Sequence, residues 1–396
     1  MAPEFSLKAK QRLMIVAYTC LPILGFGIDL ITPSLPHIQR DLNASAFMTK
    51  LLIVSFVFGY GLFQLVSGPI SDSFGRKKPI YIGLGFATLT SALLPFAPTV
   101  HVLVALRFLQ GVSISFSGVA ARAIASDLFE GDEFKKYINY TTLIWALAPI
   151  IAPFFGGYLQ HYYGWQAAFA ALAAYVLVTW CIALIIYQET IHEKHPFKVS
   201  TIAQNYRTIF NNKKYIAAVL ITGFQYSMFV IFNTIAPFLV EVRLKHTAIV
   251  FGYIALCMGV AWFLGNLVNR LFIKVDMNSK LIVAFIISTI ASVVMLGIGL
   301  AGTMNIWVLS IPAFITIGCG GLVFPNTFAY ALGLFPRLAG TANSIIAASV
   351  MMMTGFLSGI ASYIEGQTQV HMAMVFCGIN VFCLLLYFGF FHGRVE

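Results

Sequence analysis

The sequence predicts an all-α polytopic membrane protein of twelve transmembrane helices in two six-helix halves. Three observations carry this. The chain is 59% hydrophobic and only 10% charged, whereas an ordinary soluble domain carries about 25% charged residues; so few charges cannot cover a water-facing surface. Twelve apolar runs reach the roughly 20 residues a bilayer requires, near 13–35, 48–70, 79–97, 101–127, 137–161, 165–187, 214–240, 248–272, 279–301, 305–334, 338–364 and 370–391. One long polar break, Gln188 to Lys213, divides them evenly.

The N-terminal segment carries Lys8, Lys10 and Arg12. The apolar run behind it is too long for a signal-peptide core and has no small-residue cleavage site, so it is expected to be the first span. Within it lies Asp29, the one acid well inside an apolar run. An ionisable residue at membrane depth is costly and usually functional. Asp29 sits six residues from Leu35, roughly 9 Å below the end of the span. Arg107 lies at a similar depth in the fourth span. The pair reads either as a switch used in transport or as a fixed structural ion pair.

Between the second and third spans lies the charged loop Gly68-Pro69-Ile70-Ser71-Asp72-Ser73-Phe74-Gly75-Arg76-Lys77-Lys78-Pro79-Ile80. Its three consecutive cations orient the chain. With the N-terminus cytoplasmic, eighteen of the 24 Lys and Arg fall in cytoplasmic segments, Lys194, Lys198 and Arg394 among them; only Arg40, Lys50, Arg243 and Lys245 fall outside, and Arg107 and Arg122 lie within the fourth span. That bias places both termini and the linker in the cytoplasm. Asp72, Arg76, Arg122 and Asp127 then reach the same depth and are expected to form a charge latch between helix ends.

In the fifth span the run Ala148-Pro149-Ile150-Ile151-Ala152-Pro153-Phe154-Phe155-Gly156-Gly157 is dense in small residues and proline. Such residues let membrane helices bend and approach closely. The break at 188–213 is read as the linker between an N-terminal half, 1–187, and a C-terminal half, 214–396. Its Asn205–Phe210 stretch suits a short helix lying on the membrane. Uncharged polar and aromatic residues in the spans, Tyr60, Gln64, Trp145, Gln225, Asn233, Trp262, Asn326 and Tyr330 among them, are candidates to line a central cavity for a partly apolar molecule.

Several classes are excluded or disfavoured. A net charge of +10 would suggest nucleic acid in a soluble protein. Here the cations lie in loops, which reads as orientation and contact with anionic lipid, so no nucleic-acid partner is expected. Cys20, Cys181, Cys257, Cys319, Cys377 and Cys383 lie in apolar runs without ligand spacing and read as packing residues. No nucleotide loop, metal-ligand spacing or hydrolytic Ser/His/Asp set is present, so neither a cofactor nor a metal is expected, and the chain does not read as an enzyme.

With these residues in hand, the chain resembles the major facilitator superfamily, and more narrowly the Bcr/CflA group of bacterial drug:proton antiporters. Gly68, Asp72, Gly75, Arg76, Lys77 and Lys78 match the superfamily's loop 2–3 signature. Asp29-Leu30-Ile31-Thr32-Pro33-Ser34-Leu35-Pro36 is similar to the group's first-span pattern, and Arg107-Phe108-Leu109-Gln110-Gly111 to its fourth-span signature. Arg122-Ala123-Ile124, Asp127-Leu128-Phe129, Pro153, Gly156, Gly157 and Gly164-Trp165-Gln166 continue the likeness. Ala148 and Ala152 stand where the general antiporter signature has glycines, and Gly265 to Lys280 keeps only part of the loop signature.

The resemblance implies a proton-coupled exporter of small amphipathic compounds in the bacterial inner membrane, working as a monomer among lipids by alternating access. Asp29 would couple protons or substrate, with Arg107 its partner. Asp72, Arg76 and Asp127 would hold the outward-facing state, and Pro153, Gly156 and Gly157 would shape the bend at the interface between halves. The other transport readings are a dedicated metabolite or siderophore exporter and a proton-coupled importer.

Overall fold

The computed structural model describes residues 5–191, 199–363 and 368–391. Among them the regular structure is all helical. Twelve helices are long and apolar enough to cross a membrane: Leu7–Asp41, Ala46–Phe74, Lys77–Phe96, Val100–Leu128, Gly131–Tyr163, Trp165–Ile186, Lys213–Arg243, Ala248–Leu271, Met277–Leu300, Ile306–Gly333, Gly340–Tyr363 and Gln369–Phe390. Every expected span has its counterpart. Several run longer than the apolar pattern, because polar end residues continue the helix: the second span extends through the loop signature to Phe74, and the fifth starts at Gly131. Glu193, Lys194, Lys198 and Arg394 lie outside the described residues.

The spans alternate in direction. One end of the bundle carries the 74–77, 128–131, 186–213 and 271–277 connections and is called the basic end; the other is the far end. Among the described residues seven spans open on a side chain that accepts a first-turn N–H: Ser6, Ser45, Thr99, Asn212, Thr247, Asp276 and Asn305. Such caps satisfy donors that the helix leaves open. Large apolar side chains such as Ile82, Phe86, Ile185, Ile290 and Leu385 face outward, as suits helices surrounded by lipid.

The second span packs on the fourth and on the eleventh, and the fifth packs on the eighth. The second–eleventh and fifth–eighth pairs join the first six spans to the last six. The glycine pair of the fifth span explains one of these seams. A Cβ on Gly156 would strike the Leu30 carbonyl oxygen of the first span, and one on Gly157 would lie 2.6 Å from the Ala248 carbonyl oxygen of the eighth. Adjacent glycines therefore let one helix touch a neighbour on each side of the seam.

The first and seventh spans are irregular where they meet. The first breaks into Leu7–Cys20, Pro22–Asp29, a 3-10 turn at Thr32–Ser34 and Leu35–Asp41. Pro22, Pro33 and Pro36 lack the N–H that would continue the ladder. The seventh ends its α-helix at Pro237 and finishes in a π-helical turn, Phe238–Arg243. The expected linker helix is present and longer than the sequence suggests, Val199–Phe210. It rests on the bundle: Ile209 is buried, and Tyr206 Oη donates to the Leu65 carbonyl at 2.8 Å.

Candidate functional site

Asp29 is the last residue of the Pro22–Asp29 helix, just before the 3-10 turn that Pro33 enforces. Its carbonyl accepts from Thr32 Oγ1 at 2.8 Å, which stabilises the break. The side chain is fully buried. Among the described residues its one hydrogen bond comes from the seventh span: Asn233 Nδ2 donates to Asp29 Oδ1 at 2.9 Å.

Arg107 is not the partner of Asp29, which corrects the pairing inferred from their matched depth. Arg107 is also fully buried, but its fork is spent within the first half. Nε donates to the Leu52 carbonyl at 3.0 Å, Nη2 to the Gly27 carbonyl at 2.6 Å and Nη1 to Gln110 Oε1 at 2.6 Å. The guanidinium lies 4.2 Å from the centre of the Phe56 ring, and Gln110 in turn donates to Ser91 Oγ at 2.7 Å. Arg107 thus ties the first, second and fourth spans together, two residues from the acid.

At the basic end, three of the four latch residues come together. Arg76 Nε donates to Asp127 Oδ2 at 3.1 Å, and Nη1 donates to Asp72 Oδ1 and, at 3.1 Å, to Ser71 Oγ. Burial would lower the Arg76 pKa, but Asp127 and Asp72 outweigh it and the net shift is upward, so the guanidinium stays charged. Arg122 is outside this group. It donates instead to Tyr60 Oη at 3.1 Å, because its position on the fourth span points it toward the second.

Two residues just past the sixth span, Glu189 and Thr190, join the latch. Glu189 Oε1 accepts the Arg76 N–H at 2.9 Å and Oε2 the Lys77 N–H at 3.2 Å. A carboxylate here suits the positive N-terminal end of the third span. Thr190 Oγ1 donates to Asp127 Oδ2 at 2.9 Å. Gly75 has φ +94°, and a Cβ there would strike the Glu189 carboxylate, so this position needs glycine on both counts. Beside the latch a cavity of about 650 Å³ is lined by Lys10, Asp72, Arg76, Asp127, Glu130 and Glu133.

The uncharged candidates divide. Tyr60, Gln64, Gln225 and Asn233 are buried, and Trp145, Trp262, Asn326 and Tyr330 are half-buried. Trp262 belongs to an aromatic cluster with Tyr226, Phe229 and Phe324, ring centres 5.5–6.0 Å from its own. Three others turn into the second half, away from the seam. Gln225 Nε2 approaches Cys383 Sγ at 3.6 Å, Asn326 Nδ2 donates to Asn269 Oδ1 at 2.8 Å, and Tyr330 packs tilted against Phe391 with ring centres 5.0 Å apart. A Cβ added at Gly68 would meet Ser344 Oγ of the eleventh span at 3.4 Å, an ordinary contact.

A family model described as Major Facilitator Superfamily matches residues 18–362. The chain belongs to this superfamily. It is a multi-pass transporter, not an enzyme. The chain is 28% identical to a Haemophilus influenzae protein named bicyclomycin resistance protein homolog, over 92% of each chain. It is 24% identical to multidrug resistance protein D of Escherichia coli, over 88% of each chain. Its fold is similar to that of a bacterial homologue of the human lysosomal transporter Spinster in an inward-facing, unoccupied conformation, with a TM-score of 0.77, 14% identity and coverage of 99% and 100% of the two chains.

Within this superfamily fold, the residues that sequence reasoning missed are Asn233 as the partner of Asp29, Glu189 and Thr190 in the latch, and the pair His37–Glu241. Asn233 was among eight polar span residues with nothing in the sequence to rank it. Glu189 stands in the polar break, where an acid draws no attention.

Proposed function

We propose that this protein is a proton-coupled exporter of small amphipathic compounds that works by alternating access. The observation that carries the reading is Asp29: a fully buried acid in a broken span, hydrogen-bonded across the two halves to Asn233. A titratable group placed on the seam can bias which end of the bundle is open, since an equilibrium shifts only when a ligand, here the proton, prefers one of its states. The names of the relatives, bicyclomycin resistance homolog and multidrug resistance protein, support efflux as the direction. The aromatic cluster around Trp262 supports a cargo with an apolar body.

In this reading the basic end is cytoplasmic, with both termini there, and the chain works as a monomer in the bacterial inner membrane. Residues 1–187 and 214–396 rock as two bodies joined by 188–213. Cargo enters from the cytoplasm. A proton arriving from outside neutralises Asp29 as cargo leaves, and its release inside resets the cycle. The Arg76 latch stays closed within the first half and keeps its helix ends aligned during the motion.

Proton movement driven by cargo in sealed proteoliposomes tests this. A panel of amphipathic antibiotics is expected to drive proton flux opposite to cargo. Asp29→Asn is expected to abolish flux driven by a pH gradient while still binding cargo. Export by Asp29→Asn at the unaltered protein's rate, or proton and cargo moving together, would overturn it.

A further inference from the structure

We infer that Asn233 is the positioning residue through which the second half senses the proton on Asp29, the two side chains forming an acid–amide bolt between the halves. The inference rests on Asp29 being the coupling acid. It starts from the hydrogen-bond inventory of the pair. Asn233 Nδ2 donates to Asp29 Oδ1 at 2.9 Å, and both residues are fully buried. The other oxygen of each, Asp29 Oδ2 and Asn233 Oδ1, is also buried and has no hydrogen-bond partner among the described residues.

Both orphans are acceptors when Asp29 is ionised, so neither can serve the other. A buried acceptor without a donor is costly. A neutral carboxyl has one acceptor oxygen and one O–H donor; a primary amide has an N–H donor and a carbonyl acceptor. Their edges are complementary. A proton on Asp29 Oδ2 supplies the donor that Asn233 Oδ1 lacks, and one proton then satisfies both orphans in a two-bond ring. The closed pair therefore prefers neutral Asp29, and by reciprocity protonation prefers the closed pair.

Among the described residues no other side chain hydrogen-bonds the Asp29 carboxyl; His37 and Glu241, on the first and seventh spans, pair with each other nearer the far end. Arg107, on the fourth span, is engaged by Leu52, Gly27 and Gln110. The second span contributes Tyr60, bound by Arg122, and Lys50, which reaches the Ser362 carbonyl and the Phe238 ring. The sixth contributes Tyr175, whose hydroxyl donates to the Thr19 carbonyl. The fifth presents Ala148, Pro149 and Gly156 to the first. Tyr226, on the seventh span itself, lies within electrostatic reach of Asp29 but forms no hydrogen bond with it.

The test measures the separation of the halves at the far end across a pH titration in lipid nanodiscs. Spin labels go on His101→Cys and Trp307→Cys, both exposed far-end positions, in a background without the native cysteines. The unaltered pair is expected to be closed at acid pH and to open as pH rises. Asp29→Asn is expected to stay closed throughout, because an amide–amide pair also makes two hydrogen bonds. Asn233→Ala and Asn233→Leu are expected to flatten the response or move its midpoint down by about one pH unit, tenfold in the coupling constant, and Asn233→Gln to recover part of it. Unaltered midpoints in both Asn233→Ala and Asn233→Leu would overturn the inference. Should Asp29→Asn still open with pH as the unaltered protein does, the coupling role of Asp29 falls as well; a closed Asp29→Asn beside unaltered Asn233 variants removes only Asn233 from the mechanism.

Discussion

His37 Nε2 lies 3.0 Å from Glu241 Oε2. The two residues stand on the first and seventh spans, 204 positions apart, at the far end of the seam. Arg40 Nη2 lies 2.9 Å from His37 Nδ1. A guanidinium only donates, so Nδ1 accepts and Nε2 carries the proton that goes to Glu241. Arg40, His37 and Glu241 form a guanidinium–imidazole–carboxyl chain that ties the two halves above Asp29.

Breaking this chain should loosen the far end without touching the acid. Glu241→Gln and His37→Ala are each expected to cost about 1 kcal/mol of closure, as for a partly exposed pair, and so to raise the open population roughly fivefold. Modification of a far-end cysteine by a membrane-impermeant maleimide reads this out. A modification rate equal to that of the unaltered protein would show that the pair does not hold the seam.

Arg107 is expected to matter for assembly more than for protonation. Arg107→Ala removes two interhelical hydrogen bonds, at roughly 0.6–1.7 kcal/mol each, and leaves a void. A loss of about 2–4 kcal/mol in unfolding free energy is expected. Arg107→Lys should recover little, since one ammonium cannot reach Leu52, Gly27 and Gln110 in the planar fork. Thermal melting in detergent with added lipid measures both. A full-stability Arg107→Lys would refute the fork argument.

At the latch, Gly75→Ala is expected to cost about 1–2 kcal/mol for its positive φ, and to dislodge Glu189 as well. Glu189→Ala in the Gly75→Ala background should then add less than it does alone. A double-mutant cycle on melting temperature checks this. Strict additivity would mean that the glycine and the carboxylate act independently.

The two glycines of the fifth span should fail differently. Gly156 meets Leu30 within its own half, whereas Gly157 meets Ala248 across the seam. Gly156→Leu is expected to lower expression and melting temperature. Gly157→Leu is expected to leave a folded protein whose transport falls at least about tenfold, because the seam can no longer close. Equal melting temperatures and equal transport for the two would remove the distinction.

Much of this was legible in the chain itself. Bilayer-length apolar runs place all twelve spans, and the Gly68–Ile80 loop marks the latch through Asp72 and Arg76. Pro33, Pro36 and Asp29 mark the break in the first span. Matched depth misled about Arg107: its acceptors are the carbonyls of Leu52 and Gly27, and every residue has a carbonyl. Likewise Arg122 shares its charge and depth with the latch, but its helical phase turns it toward Tyr60.

The sequence by itself determined which segments cross the membrane and which ionisable residues lie at depth. These follow from local composition, because lipid cannot hydrogen-bond a backbone and so each span must be long, apolar and helical on its own account. Tertiary structure alone decided that Asp29 answers to Asn233, that Glu189 caps the loop 113 residues before it, and that His37 meets Glu241. Those pairings depend on helix rotation and on how two separately helical halves come to rest on one another, and interior packing admits few such arrangements.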